Sequence, residues 1–328
     1  MHTPHSHRPL KSEHVEDVLH VIAVVSNPVR YLSRYALYEQ FEAHVLKNPA
    51  VRLVTVELAF GDRGHEVTDT CQLNHLQLRS SHELWHKENM VNLGMRLLPR
   101  DWKYVAWVDA DVEFLSPSWA QETLHQLQHH PVVQMFESAV DLGPRENVIG
   151  VHQGFGAQLN SGAPMVVTSG NAYGYGAGPG AFWHPGFAWA ARREFIENVG
   201  GLIDGAILGS ADHHMALGMI GCADRSLPEG IHDNYKAMVM DWQHKALRAG
   251  NKDIGHVPGS IVHHWHGPKA KRYYVARWAT LIKHEYDPRS DIRYSASGVL
   301  ELVGNKPQLR DDLRRYFRAR DEDSRTED

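Results

Sequence analysis

Tyr104-Val105-Ala106-Trp107-Val108 runs without a charged residue straight into Asp109-Ala110-Asp111. A continuous apolar run of this length reads as a strand buried on both faces, the kind found in mixed or parallel sheets covered by helices. Side chains alternate along a strand, so Asp109 and Asp111 are expected on one side at its end. Strand ends in open α/β sheets border the crevice where ligands bind. Two carboxylates held there repel unless a cation lies between them. Hard oxygen ligands suit Mg²⁺ or Mn²⁺, ions that commonly carry phosphates. The plain alternative is an acidic turn that merely ends a strand.

The flanking pattern supports an α/β chain. Leu19 to Val25 reads as a strand stopped by Ser26-Asn27-Pro28, and Tyr31 to His44 as a helix. Val51 to Phe60 is a second strand, Leu84 to Leu98 a helix, and Tyr104 to Val108 the third strand. Alternation of this kind implies βαβ units and a mixed, mostly parallel sheet flanked by helices. Trp119 to His129 reads as a further helix and Val132 to Phe136 as a strand. Arg192 to Val199 is helical and closed by Gly200-Gly201, and a short helix spans Ser210 to Gly218. Before both, Ser161 to Gly180 is rich in glycine, with Tyr173, Tyr175, Phe182 and Trp183 in or beside it. Long loops without periodicity are uncommon unless functional, and this one reads as a mobile pocket lid. Residues 1–18 read as a loose leader, 19–290 as one domain, and 291–328 as an extension whose charged end, from Arg318, frays.

Several function classes are excluded by composition. The net charge of −5 offers no general basic field for nucleic acid or anionic lipid. Cys71 and Cys222 are the two cysteines, too few for a disulfide framework or a zinc-type cluster. No apolar stretch is long enough to span a bilayer and no signal-type segment is read, so a reducing cytoplasm is the expected location. The 24 histidines are unusual, and each needs a constellation before it counts as a ligand.

One such constellation is Ile261-Val262-His263-His264-Trp265-His266-Gly267-Pro268-Lys269. If Ile261 to Trp265 is a strand, alternation puts His264 on the face of His266, and His263 with Trp265 on the other. Imidazole joins carboxylates readily around Mn²⁺. Gly267 admits a close backbone approach, and Lys269 or Lys271 can neutralise a phosphate. The alternative is a pair of histidines that cap a strand. A second constellation is Ser210-Ala211-Asp212-His213-His214, where Asp212 is either a helix cap or a general base beside a pocket.

Taken together, these motifs resemble the metal-dependent glycosyltransferases of the GT-A fold, a superfamily marked by an Asp-x-Asp at a strand end. Asp109-Ala110-Asp111 matches that motif. Lys87-Glu88-Asn89-Met90-Val91-Asn92-Leu93-Gly94 resembles the nucleotide-side helix before it. His184-Pro185-Gly186-Phe187-Ala188-Trp189-Ala190-Ala191-Arg192-Arg193 resembles the acceptor-side segment, and Ala211-Asp212 stands where the family carries two acids. The resemblance covers roughly residues 19 to 290. It implies a single Rossmann-like GT-A domain, a nucleotide-sugar donor and a Mn²⁺ or Mg²⁺ ion. It places Asp109, Asp111, His264 and His266 at the metal, with Asp109 also near the ribose. Ser26, Arg30, Lys87, Asn92 and Lys269 would line the nucleotide side. Trp183, His184, Gly186 and Trp189 would shape the acceptor site, and Asp212 would act as base.

The acceptor is left open between a polysaccharide, a small molecule and a modified DNA base. The stretch from His266 to Asp287-Pro288 also resembles bacteriophage-type enzymes that decorate DNA, and its basic residues could contact a backbone. A nucleotidyltransferase would use the same ion and acids but would normally carry a Gly-rich signature after the first strand, where this chain has Ser26-Asn27-Pro28-Val29-Arg30. A non-enzymatic carbohydrate-binding protein would leave the acids and histidines unexplained.

Overall fold

A computed structural model of the chain describes residues 17–162, 183–274 and 276–327. The leader to residue 16, most of the Gly-rich stretch with Tyr173, Tyr175 and Phe182, and the proposed lid therefore lie outside the described residues.

The first half of the chain alternates as expected. Strand β1 (Leu19–Ser26) leads to α1 (Leu32–Val45), β2 (Val51–Phe60) and β3 (His75–Ser80). Then come α2 (Lys87–Gly94), β4 (Tyr104–Val108), β5 (Val112–Phe114), α3 (Trp119–His129), β6 (Val132–Gln134), β7 (Ser138–Leu142), β8 (Val148–Gly154) and α4 (Phe155–Asn160). After the undescribed stretch follow β9 (Trp183–His184), β10 (Ala188–Arg192), α5 (Arg193–Val199), α6 (Ala211–Ile220) and α7 (Asp233–Gly250). The chain continues through β11 (Ile254–His256), β12 (Ser260–His263), α8 (Arg277–Lys283), β13 (Ile292–Tyr294), β14 (Leu300–Leu302) and α9 (Pro307–Ala319).

Among the described residues, the main sheet has seven strands in the order β11-β6-β10-β4-β1-β2-β3. β1 pairs in parallel with both β2 and β4, while β10 runs antiparallel between β4 and β6. The sheet is mixed and mostly parallel, as the apolar runs imply. One apolar cluster lies around Ile22, Val56, Met90, Val105 and Trp189, the other around Val21, Tyr38, Phe41, Ala106 and Leu127. Ile22 and Val21 are neighbours in β1, so the two sets are the two faces of a sheet covered by apolar packing on both sides. A smaller five-stranded sheet, β5-β12-β7-β8-β9, forms beside it.

Three local expectations change. The helix read from Leu84 begins at Lys87, because Trp85 donates its backbone N–H to the Ile207 carbonyl at 2.9 Å and ties the lead-in to another loop. The strand read to Trp265 stops at His263, because the His264 N–H turns to the Asp111 carbonyl at 2.8 Å. The charged end is docked rather than frayed. Arg320 and Glu322 are each 4% exposed, and Asp323 accepts the backbone N–H groups of Leu32 and Ser33 at the start of α1. Val299, Leu300, Leu309, Leu313 and Phe317 share the cluster of Met90 and Trp189, so the segment after residue 290 is part of the same core.

Candidate functional site

The chain leaves β1 towards β2 and β3 on one side and returns to β4 on the other. The carboxyl ends of β1 and β4 therefore flank a topological switch point, the place where open α/β sheets hold ligands. A cleft opens there. Val24 to Val29 line it from β1, Asp109 to Asp111 from β4, and Lys87 and Glu88 from α2. Asp212, His184, His263, His266 and Lys269 also line it, together with Arg34, Arg272, Arg277, Arg320 and Glu322.

The two acids after β4 are neutralised separately. Asp109 pairs with Lys87, and its backbone N–H donates to the Phe187 carbonyl at 2.8 Å. Burial raises its carboxyl, against the Lys87 charge. Asp111, 9% exposed, meets histidines instead. Its Oδ2 lies 2.9 Å from His266 Nε2, and His263 Nε2 lies 3.9 Å from Oδ1. The two histidines face each other at 3.1 Å between Nε2 atoms. Asp111, His263 and His266 thus offer three ligand atoms within 4.8 Å of one another, the group among the described residues spaced to hold a metal ion. Asp111 Oδ1 is buried and has no hydrogen-bond partner among the described residues.

The electrostatics favour lone pairs in this cluster. Burial works against charge on Asp111, but the contact with His266 and the Arg34 guanidinium hold its carboxyl well below the usual range. Burial and the neighbouring Arg272 push His266 down to about 3, so its ring is neutral at pH 7. On His263 the other ring nitrogen, Nδ1, donates to Asp141 Oδ1 at 2.8 Å. With Nδ1 bound in this way, Nε2 is the ring nitrogen that faces the cluster.

The remaining expected residues divide into those at the cleft and those elsewhere. Ser26, Lys87, His184, Asp212 and Lys269 line it. Asp212 sits in the first turn of α6, its Oδ1 accepting the His213 N–H at 2.8 Å. Gly186 adjoins it: a Cβ there would come within 2.6 Å of Asp212 Oδ2. His264 turns outward, its Nε2 3.4 Å from Glu113, and does not join Asp111. It parts from His266 because alternation ends with the strand at His263. Arg30 is exposed and pairs with Glu66 at 2.9 Å. Asn92 is bound at both ends of its amide to the Leu202 backbone, at 2.8 and 3.0 Å, and serves the core. Trp183 and Trp189 are both 4% exposed, packed edge-on or tilted against Phe155, and neither lines the cleft.

His263, Arg34, Glu88, Arg272 and Glu322 are cleft residues that sequence reasoning passed over. His263 carried a signal, since the strand-end argument applied to Asp111 applies equally to the last residue of β12. Arg34 and Glu322 carried none, because each is the other's partner across most of the chain. Strain also gathers here. Phe187 (φ 72°) and Ser210 (φ 77°) are non-glycine residues in the left-handed region, and both line the cleft. Such outliers persist where surrounding contacts enforce them, and Arg277 donates a hydrogen bond to the Ser210 hydroxyl.

No protein-family model and no curated protein sequence matches the chain. Among solved structures it is similar to the Drosophila β1,4-galactosyltransferase 7 with manganese, UDP-Gal and xylobiose. That match has 10% identity and a TM-score of 0.42, over 89% of this chain and 97% of that one. With the xylobiose complex of the same catalytic domain, the values are 13%, 0.34, and 66% of each chain. A mannosyltransferase from Pyrobaculum calidifontis with GDP-Man and Mn²⁺ matches at 15% identity and 0.40, over 83% of this chain and 61% of that one. The 4-diphosphocytidyl-2C-methyl-D-erythritol synthase from Anaerococcus prevotii matches at 10% and 0.36, over 74% and 87%.

Proposed function

We propose that the chain is a metal-dependent glycosyltransferase of the GT-A type, moving a sugar from a nucleotide-sugar donor to a hydroxyl acceptor. The observation that carries this is the convergence of Asp111, His263 and His266 in the switch-point cleft, with Asp111 Oδ1 lacking a hydrogen-bond partner among the described residues. One carboxylate and two imidazoles suit Mn²⁺, which combines oxygen and nitrogen ligands. Bound there, the ion would supply positive charge opposite a diphosphate leaving group.

The chain's own groups complete the reading. Arg272 borders His266 at 2.9 Å, and its Nε is buried without a hydrogen-bond partner among the described residues. A buried donor in this position is matched by a phosphate oxygen. Lys87 and Asp109 lie on the α2 side, where they would hold the nucleotide's ribose and neighbouring phosphate, with Ser26 at the β1 end. Asp212 would take the acceptor's hydroxyl proton, since it faces the same cleft with Gly186 drawn close beside it. The acceptor class stays open between a polysaccharide, a small molecule and a modified DNA base.

The test is a panel of nucleotide sugars with Mn²⁺, reading release of nucleoside diphosphate. The expected result is metal-dependent release with one donor, abolished by chelator and by Asp111→Ala in a variant whose circular dichroism is unchanged. Release of pyrophosphate from a nucleoside triphosphate and a sugar phosphate would instead make the chain a nucleotidyltransferase. Full activity of Asp111→Ala in chelator would sink the metal reading.

A further inference from the structure

Asp141 is a buried carboxylate outside the reacting cleft, and its position is set by strand register. It lies on β7, which pairs in parallel with β12 so that Asp141 stands opposite His263. On its other side β8 places Gly150 opposite, and a Cβ there would reach within 3.4 Å of Asp141 Oδ2. The side chain is 1% exposed. Three donors from separate segments converge on it. His263 Nδ1 binds Oδ1 at 2.8 Å, while His152 Nε2 and the Lys269 ammonium both reach Oδ2.

Burying an ionised carboxylate is costly unless its lone pairs are satisfied. Among the described residues, the compensation comes from groups that border the cleft: His152, His263 and Lys269 are all lining residues, whereas Asp141 is not. The consequence for His263 is specific. An imidazole can rotate and exchange tautomers, and only the form with hydrogen on Nδ1 turns a bare Nε2 towards Asp111 and His266. A carboxylate on Nδ1 selects that form, fixes the ring plane and makes Nε2 a stronger donor to a metal.

We propose that Asp141 is the positioning residue of the metal centre, holding His263 in the tautomer and orientation that bind the ion. The proposal rests on the reading of Asp111, His263 and His266 as ligands, and it assigns a task to a residue that touches neither ion nor substrate.

Two measurements on the full chain test it. Mn²⁺ is titrated into protein without any nucleotide, and the free ion is followed by electron paramagnetic resonance. Asp141→Asn should weaken Mn²⁺ binding by roughly 10–100-fold, the range typical for loss of such a partner. Binding within threefold of wild type, in a variant with an unchanged circular dichroism spectrum, overturns the proposal. If the wild-type chain itself binds no Mn²⁺ while Asp141 bonds His263 as described, the metal reading fails instead. The second measurement needs no variant: the imidazole nitrogen shifts of His263 in metal-free protein should show hydrogen on Nδ1. A hydrogen on Nε2 overturns the proposal even where Asp141→Asn does not fold.

Discussion

Glu88 shows how a site imposes a protonation state on one residue. It sits in the first turn of α2, 4% exposed, on the wall of the cleft. Burial pushes its carboxyl up to about 8; Lys87 opposes this, and Asp212 adds to it. The unfolded chain releases this proton near pH 4.5, the folded chain only near 8. Between those values the folded state holds an extra proton, so stability is greatest below pH 4.5 and falls as pH rises through the window. The loss amounts to up to about 5 kcal/mol by pH 8. Glu88→Gln removes the titration, so denaturant midpoints measured from pH 5 to 8 should show a flatter decline than wild type. An unchanged slope would mean that Glu88 is ionised throughout. None of this was legible in Lys87-Glu88-Asn89, where an acid in a first turn reads as a solvated dipole partner. Asp111 and His266 were legible from residue chemistry and motif order; strand periodicity did not place them, since β4 ends at Val108 and β12 at His263, and Asp109, also expected at the metal, pairs with Lys87 instead. The exchange of His264 for His263 was not, because it turns on one backbone hydrogen bond to Asp111.

At the scale of elements, the same division follows sequence distance. β1, β2, β4 and α3 were readable because apolar runs and helical spacing are local signals. Helix α7 was equally readable in principle. Tyr235, Val239, Trp242 and Ala246 recur at helical spacing on its buried face, and Asn251 closes it in the left-handed conformation at φ 47°. The end of the chain was not readable, because its charges are neutralised by remote partners. Glu322 accepts hydrogen bonds from Arg34 on α1 and from Arg320, and Lys271 pairs with Asp321 at 2.5 Å. Gly267 makes this docking possible. It sits at φ +89°, and a Cβ would meet the Asp321 carbonyl oxygen at 2.7 Å and Glu322 Cα at 2.8 Å, both backbone atoms. Gly267→Ala should therefore lift the last turn off the cleft, at a cost of about 1–3 kcal/mol. Hydrogen exchange should rise selectively over residues 320–324, with β1 and β4 unaffected. Unchanged protection there would show that the loop after β12 can move to admit the methyl group.

The whole molecule places opposite charges along one cleft, between elements that are far apart in the chain. Lys87, Asp109 and Asp111 come from the β1–β4 region, Asp212 from α6, His263 to Arg272 from the end of β12, and Arg320 with Glu322 from beyond α9. These segments meet because β1 and β4 are neighbours at the centre of the sheet, while β12 joins β5, the strand that directly follows the acids. A ligand spanning the cleft would therefore tie together segments that otherwise separate on unfolding. Ligands that bind only the folded state stabilise it by mass action, by about 2.7 kcal/mol at a hundredfold excess over Kd. Mn²⁺ and the correct nucleotide sugar together should raise the thermal midpoint more than the sum of either alone, because the diphosphate and the ion would contact each other as well as the protein. Differential scanning fluorimetry over a matrix of ion and donor concentrations measures this directly. With Asp111→Ala the excess should vanish, while any stabilisation by nucleotide sugar alone, through Lys87 and Arg272, should remain. Simple additivity in the wild type, with both ligands shown to bind, would place ion and diphosphate in separate parts of the cleft and overturn the shared-site mechanism.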